Sequence, residues 1–174
     1  MAITRLGGAT AITGTIPQGN IANASLGAVT ALPAAISTGK VLQVVTATDD
    51  TPRNTTSTSF VTASNSLTVN ITPSSSSNKV YVSVSSTIGN TANGGNCMIT
   101  VYRGSTNLGS GNGIIGAYGG GSDTRSGGSF GVLDSPSSTS QLTYQVYIKR
   151  GDGTRGDMNW NSSRGIITAF EIAG

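Results

Sequence analysis

Histidine is absent from this 174-residue sequence, and other groups that usually carry chemistry are scarce. Charged residues make up 10% of the chain, and cysteine occurs once, at Cys97. Imidazole suits proton transfer near neutral pH better than any other side chain, so its absence argues against acid–base catalysis. Without histidine, a metal site would need oxygen ligands, and no calcium-loop spacing of carboxylates is present. We therefore expect no enzymatic activity and no catalytic, cofactor or metal-binding residues.

Long apolar runs and basic clusters are also missing. No run approaches the roughly 20 apolar residues that span a bilayer, and the first residues lack the pattern of a secretory signal. Ten basic residues against seven acidic ones give a net charge of +3, and the basic residues are scattered along the chain. A nucleic-acid-binding face would concentrate them among aromatic side chains. We expect no membrane insertion, no nucleic-acid partner, and synthesis in a cytoplasm.

The sequence does contain alternating strand patterns. From Lys40 onward, apolar and polar residues alternate in Leu67–Thr72, Val80–Ser85 and Leu142–Ile148, and turn signals recur about every 8 to 12 residues. About eight strands without a helical pattern predict an antiparallel β-sandwich of jelly-roll type over residues 40–174. Residues 109–128 are glycine-rich and predict a surface loop with one short strand, and residues 150–164 predict a second polar loop. Cys97 starts an apolar run and is expected to be a buried small hydrophobe.

Residues 1–39, which we call the arm, have a different character. Their apolar residues recur at irregular gaps, and Pro17 and Pro33 oppose a long helix. We expect an extended arm that docks on symmetry mates or on another protein; the alternative is a disordered leader, although such leaders seldom contain this many aliphatic residues. The expected docking residues are Ile3, Leu6, Ile12, Ile16, Ile21, Leu26, Val29, Leu32 and Ile36.

Several strings in residues 39–172 resemble a small domain found in tailed bacteriophages, especially those of marine and cyanobacterial hosts. They are Gly39–Val45, Ser57–Val61, Ile71–Ser75, Lys79–Val80, Arg103–Thr106, Leu133–Pro136, Thr143–Val146 and Ile167–Ile172. The resemblance implies a tail-fibre-like virion structural protein with a β-sandwich that trimerises. Ile12–Pro17 is similar to strings in phage fibre shafts, but the arm is much shorter than the shaft of a long fibre.

Trp160, the one tryptophan, lies among Asn159, Asn161 and Ser162. An aromatic ring flanked by amides and hydroxyls can stack on a sugar, or it can anchor its loop to the sandwich, and the sequence leaves both interpretations open. The candidate receptor-contact residues are Tyr118, Arg125, Arg155, Asp157 and Trp160. Arg155 and Asp157 belong to an Arg-Gly-Asp tripeptide, a match short enough to arise by chance. The acidic residues Asp49, Asp50, Asp152 and Asp157 predict turns rather than a catalytic carboxylate pair.

These observations together predict a homotrimeric short tail fibre or fibre tip that displays loops for host attachment. Its partners would be its own copies, other phage virion proteins and a host-surface glycan, and the virion would be assembled in the host cytoplasm. Three weak sites on one rigid trimer would act together through avidity. The alternative is a capsid decoration protein, of the cement or head-fibre kind, that binds and stabilises the phage capsid.

Overall fold

The computed structural model describes residues 40–91, 94–120 and 123–174. The expected arm and its docking residues, together with the predicted boundary at residue 39, lie outside the described residues. Within the described ranges the chain forms twelve strands and one short 3₁₀ turn at Trp160–Ser162. The strands are β1 (Val41–Asp49), β2 (Arg53–Thr55), β3 (Val61–Thr62), β4 (Thr68–Ile71), β5 (Lys79–Asn90), β6 (Gly95–Arg103), β7 (Thr106–Asn107), β8 (Ile115–Gly119), β9 (Thr124–Asp134), β10 (Leu142–Arg150), β11 (Gly156–Met158) and β12 (Gly165–Ile172).

The strands form two antiparallel sheets that pack face to face. The first sheet has the order β1-β12-β5-β9, and the second has the order β4-β10-β6-β8. The short strands extend these sheets: β11 and β2 continue from β5, β3 pairs with β10, and β7 pairs with β6. Early and late strands alternate in both sheets, which is the connectivity of a jelly roll. The predicted all-β antiparallel sandwich of jelly-roll type is therefore confirmed.

The hydrophobic core lies between the sheets and follows the predicted alternation. Val80, Val82 and Val84 of β5 are buried, and Tyr81 between them lies on the outer face. Other buried residues of both sheets and of the segment before β4 complete the core: Leu67, Val69, Ile71, Ile99, Val101, Tyr144, Val146, Ile148, Met158, Ile167 and Ala169. Each large aliphatic side chain removed from water contributes about 1.5 to 3 kcal/mol. Cys97 is buried as expected, and burial raises the pKa of its thiol to about 12.

The glycine-rich segment 109–128 contains the one short strand that was predicted, β8, but the prediction of a loop after it was wrong. It contains β8 and the start of β9, and β9 pairs with β5 from Thr124 opposite Asn90 to Asp134 opposite Val80. Glycine leaves room for core side chains there: a Cβ on Gly128 would lie 3.1 Å from the Cδ1 of Ile88 and 3.3 Å from the Cδ1 of Ile115. Strand β9 therefore pairs with β5 along its whole length, although the first half of its sequence lacks the alternation of apolar and polar side chains that usually indicates a strand.

The predicted polar loop 150–164 is also wrong in part, because it contains β11. All three residues of that strand, Gly156 to Met158, are buried, and Met158 belongs to the core. Strand β11 pairs with the end of β5 on one side and with β2 on the other. The segment therefore continues the first sheet beyond the end of β12.

Antiparallel pairing gives the sandwich two distinct ends. At the end that we call the base, Ile172 pairs with Val41 and Lys79, and the amide of Ala173 donates to the carbonyl of Lys40 at 2.9 Å. At the other, which we call the loop end, Asn90 pairs with Thr124 and Gly156. Lys40, the first described residue, therefore lies at the base, a full strand length from the loop end.

A buried carboxylate joins the two sheets at the base. Asp134 of β9 accepts hydrogen bonds from Arg103 Nη1 at 2.7 and 2.8 Å and from the Tyr144 hydroxyl at 2.6 Å. Arg103 and Tyr144 belong to the second sheet, so these bonds cross the core. Burial, and then the adjacent Asp134 carboxylate, raise the pKa of the Tyr144 hydroxyl above its usual range.

Two other buried carboxylates are held by hydrogen bonds. Glu171 accepts from the Ser74 amide at 2.6 Å, the Ser74 hydroxyl at 2.7 Å and Asn78 Nδ2 at 2.6 Å. Asp49 accepts from Arg53 Nε at 2.8 Å and from the Thr51 amide at 3.1 Å. Burial alone would raise the pKa of each group, but these hydrogen bonds outweigh burial and lower both pKa values.

Candidate ligand-binding groove

The 3₁₀ turn that contains Trp160 is fixed to β5 at the loop end. The Trp160 amide donates to Thr87 Oγ1 at 2.7 Å, and the Asn159 amide donates to the Thr87 carbonyl at 3.1 Å. Asn159 is itself buried, and its side chain accepts from the Ser86 hydroxyl at 2.8 Å and donates to the Thr51 carbonyl at 3.2 Å. These bonds fix the backbone from which the indole projects.

The backbone of this turn adopts an uncommon conformation. Asn159, Asn161 and Ser162 all have positive φ, at 56°, 53° and 58°. Non-glycine residues seldom adopt such values, and they persist only where the surroundings hold them in place. Such values cluster at functional sites, so the turn is a candidate binding segment.

The guanidinium of Arg125 lies over the Trp160 ring, 3.7 Å from its centre. Arg125 crosses the outer face of β5 at Gly89, where a Cβ would lie 3.0 Å from the Arg125 Cγ. Trp160 retains 44% of its accessible surface, so a ligand can reach the ring although Arg125 covers part of it. A cation over an indole is attracted by the negative ring face, which stabilises this pair.

Asp157 lies beneath this pair and holds two arginines. Its carboxylate is 2.7 Å from Arg155 Nε and 3.5 Å from Arg125 Nη2. Asp157 is 3% exposed, so it does not form the receptor-facing surface that the sequence suggested for it; its role is to position the arginines. Gly156 is buried against the thiol of Cys97, so the Arg-Gly-Asp tripeptide is not presented as an accessible loop.

A polar groove of about 340 Å³ lies next to the Trp160 turn on the outer face of the first sheet. Thr87 and Ser163 line it, and their hydroxyls are 2.6 Å apart. Ser163 also closes the turn, because its amide donates to the Trp160 carbonyl at 3.1 Å. The full lining is Ser85, Ser86, Thr87, Gly127, Gly128, Ser129, Ser163 and Arg164.

The chemistry of the groove suits a hydroxylated, acidic ligand. Its hydroxyls can donate and accept hydrogen bonds, and its glycines leave room for a ring to approach the sheet. Arg164 is mostly exposed, and its one described ion pair, with Asp50, is long at 3.7 Å. A guanidinium of this kind can bind a carboxylate or sulfate through two parallel hydrogen bonds.

The structure brings together only part of the candidate set from the sequence. Arg125 and Trp160 are in contact, and Arg155 joins them through Asp157. Tyr118 is 69% exposed, but it lies on β8 in the second sheet, opposite Asn96. Sequence reasoning missed the hydroxyls of the groove and Arg164. One signal in the sequence pointed to a polar outer face near the groove: Ser83, Ser85 and Thr87 of β5 alternate with the inward-facing residues of that strand.

No group of three acidic or cysteine side chains converges in residues 40–91, 94–120 and 123–174. No helical segment in the same part of the chain is long and apolar enough to cross a membrane.

Comparison with known proteins gives likeness in structure alone. No family model matches the sequence, and no curated protein matches it. The chain is similar to a structure of the T13 viral particle of infectious bursal disease virus, with 14% identity and a TM-score of 0.44, over 78% of this chain and 38% of that one. It is also similar to the VP2 subviral particle of the same virus, with 13% identity and a TM-score of 0.40, over 75% and 39% of the two chains. The chain therefore spans well under half the length of these viral proteins.

Proposed function

We propose that this chain is a structural protein of a bacteriophage particle, a homotrimeric short tail fibre or fibre tip that binds a host-surface glycan. The observation that carries the proposal is the Trp160–Arg125 pair beside a hydroxyl-lined groove, at the end of the sandwich farthest from Lys40. Attachment of the sandwich to the particle at its base would leave this loop end facing outward. The resemblance to phage fibre domains supports the same role, as does the jelly roll, which recurs in viral capsid and lectin domains.

The proposed ligand is an acidic surface polysaccharide. A sugar ring would lie against the exposed part of Trp160, while its hydroxyls bond to Thr87 and Ser163 and its acidic substituent pairs with Arg164. An open groove of this size gives weak binding at one copy. Three copies on one particle component raise the overall strength by a factor of about 100 or more, provided that the glycan can reach several sites.

Replacing Trp160 with alanine is expected to weaken binding to acidic host polysaccharide about tenfold, which corresponds to about 1.4 kcal/mol. The fold should persist because the ring is half-exposed. Binding of the full chain to immobilised polysaccharide measures the effect. Tyr118→Ala is the matched control, since it removes an exposed aromatic ring outside the groove. Equal affinity of the Trp160 variant and the unaltered chain would contradict the proposed site.

The second candidate is capsid decoration, in which the arm binds the shell and the groove has no ligand. The two roles place the protein at different sites on the particle. Gold-labelled antibodies against the sandwich should mark the tail of intact particles if the fibre proposal is correct. Label over the capsid faces would replace it with decoration.

We also propose that the protein has no catalytic role. Incubation of the full chain with host polysaccharide is expected to give binding without new reducing ends. Release of reducing ends that persists after purification would establish a depolymerase instead.

A further inference from the structure

We infer that a second copy of this chain binds the outer face of the first sheet at its base, through an apolar row and the free edge of β1. This inference rests on the proposed self-association and assigns it a surface. The row consists of Val44, Phe170, Tyr81 and Leu133, which are paired one to the next across four strands. An outer face of an antiparallel sheet is normally polar, so a continuous apolar row calls for a partner.

The row is well exposed in the single chain. Val44 and Leu133 each retain 53% of their surface, and Tyr81 retains 38%. Val41 and Leu42, at the start of β1, extend the patch with 55% and 48% exposure. The Tyr81 and Phe170 rings lie 6.2 Å apart, and the Tyr81 ring also crosses Gly131, where a side chain would collide with its hydroxyl. The Tyr81 ring therefore lies along the sheet over Gly131 and is not extended away from it.

Strand β1 adds a backbone component to this surface. It is the last strand of its sheet, and β12 is its sole pairing partner in the described part of the chain. Soluble proteins usually protect such an edge with charge or proline. Residues Val41 to Thr48 contain neither, so the edge is open to a further strand or to close packing by another copy.

The size of the patch fits an interface between copies. Its five exposed side chains present about 400 Å² of mainly apolar surface, at roughly 150 to 230 Å² for each fully exposed residue. A standard interface buries roughly 800 Å² on each partner, of which about 56 to 65% is apolar. The row itself contains no charged residue, in keeping with the depletion of charge at interface centres.

An interface at the base leaves the groove accessible. Ser85 follows Tyr81 on β5 by four residues, a distance of about 13 Å along a strand. Ser129 has the same relation to Leu133 on β9. The self-association surface and the ligand groove thus occupy opposite ends of one sheet face, so copies can assemble without covering their binding sites.

The test is the mass of the full chain in solution, measured by light scattering at about 10 μM, for the unaltered protein and for Val44→Arg and Leu133→Arg. We expect the unaltered chain to be oligomeric and both variants to shift to the monomer mass. Val61→Arg is the matched control: it places the same charge on an exposed valine of β3 in the second sheet, and should keep the oligomer.

Circular dichroism and thermal unfolding establish that each variant is folded. If an arginine variant does not fold, Val44→Thr and Leu133→Thr keep strand propensity and should still weaken association at least tenfold. A monomeric unaltered chain, or folded variants that retain the oligomer mass, would overturn the inference. The second of these outcomes leaves glycan binding and the Trp160 test untouched, so failure of the interface and failure of the proposed function are separable.

Discussion

Replacing Asp134 with alanine should lower the free energy of unfolding by about 3 to 5 kcal/mol, because it leaves Arg103 and the Tyr144 hydroxyl without their shared acceptor. Tyr144 is fully buried and Arg103 mostly so, which prevents water from replacing the carboxylate. A loss of this size is a large part of the 5 to 15 kcal/mol that typically stabilises a domain. Urea denaturation of the full chain, followed by circular dichroism, measures it.

Asp50→Ala is the matched control for this experiment. Asp50 also pairs with an arginine, Arg164, but both side chains are exposed and their distance is 3.7 Å. Exposed pairs contribute about 0 to 1 kcal/mol, so this variant should unfold close to the unaltered protein. A similar, small loss for both aspartates would mean that the bonds across the core do not hold the sheets together.

Acid should unfold the protein steeply below about pH 4, whereas stability should change little between pH 5 and 8. The pKa values of Asp49 and Glu171 are lowered in the folded state, while in the unfolded chain they return to about 3.9 and 4.3. The unfolded chain therefore binds protons first as the pH falls. The stability from these groups is present above pH 4 and is lost toward their folded pKa values, at up to about 1.4 kcal/mol per pH unit for each group.

Glu171→Gln isolates one of the two contributions. The amide has nearly the same shape but does not titrate, so stability plotted against pH between 4 and 2 should be shallower by up to about 1.4 kcal/mol per unit. The variant should also be less stable at pH 7, because bonds from Ser74 and Asn78 to a charged acceptor are replaced by weaker ones. Urea titrations at several pH values provide the measurement. Parallel curves for the variant and the unaltered chain would assign the acid sensitivity to other groups.

The sequence predicted the fold where side chains alternate and misjudged it where glycine replaces them. Val80, Val82 and Val84 revealed β5 because their spacing matches the pleat. Strand β9 was missed because Gly127, Gly128 and Gly131 interrupt the alternation of apolar and polar side chains. Gly128 leaves room for Ile88 and Gly131 leaves room for the Tyr81 ring, and these contacts are visible only in the structure. Strand β11 was missed for another reason. An aspartate such as Asp157 is typical of a loop, and the ion pairs with Arg125 and Arg155 that allow it to be buried in a strand are visible only in the structure.

Of the candidate site, the sequence predicted mainly Trp160, its most unusual residue. The polar neighbours of Trp160 mark it as a candidate, and Arg125 is predicted to share a surface with it only if the two long loops meet at one end. The groove combines β5, β9 and the segment after the 3₁₀ turn, which are far apart in sequence. The pairing of Thr87 with Gly127, and the bond between Thr87 and Ser163, bring those segments together.

Strand β12 lies between β1 and β5, although it is the last strand of the sandwich to be synthesised. Until Gly165–Ile172 has left the ribosome, β1 has no neighbour in its sheet and one side of β5 stays open along Lys79–Ser85. A nascent chain thus exposes unpaired strand edges throughout translation and completes its first sheet in a late step that links distant parts of the polypeptide. We therefore expect chains that terminate before Gly165 to be prone to aggregation and degradation.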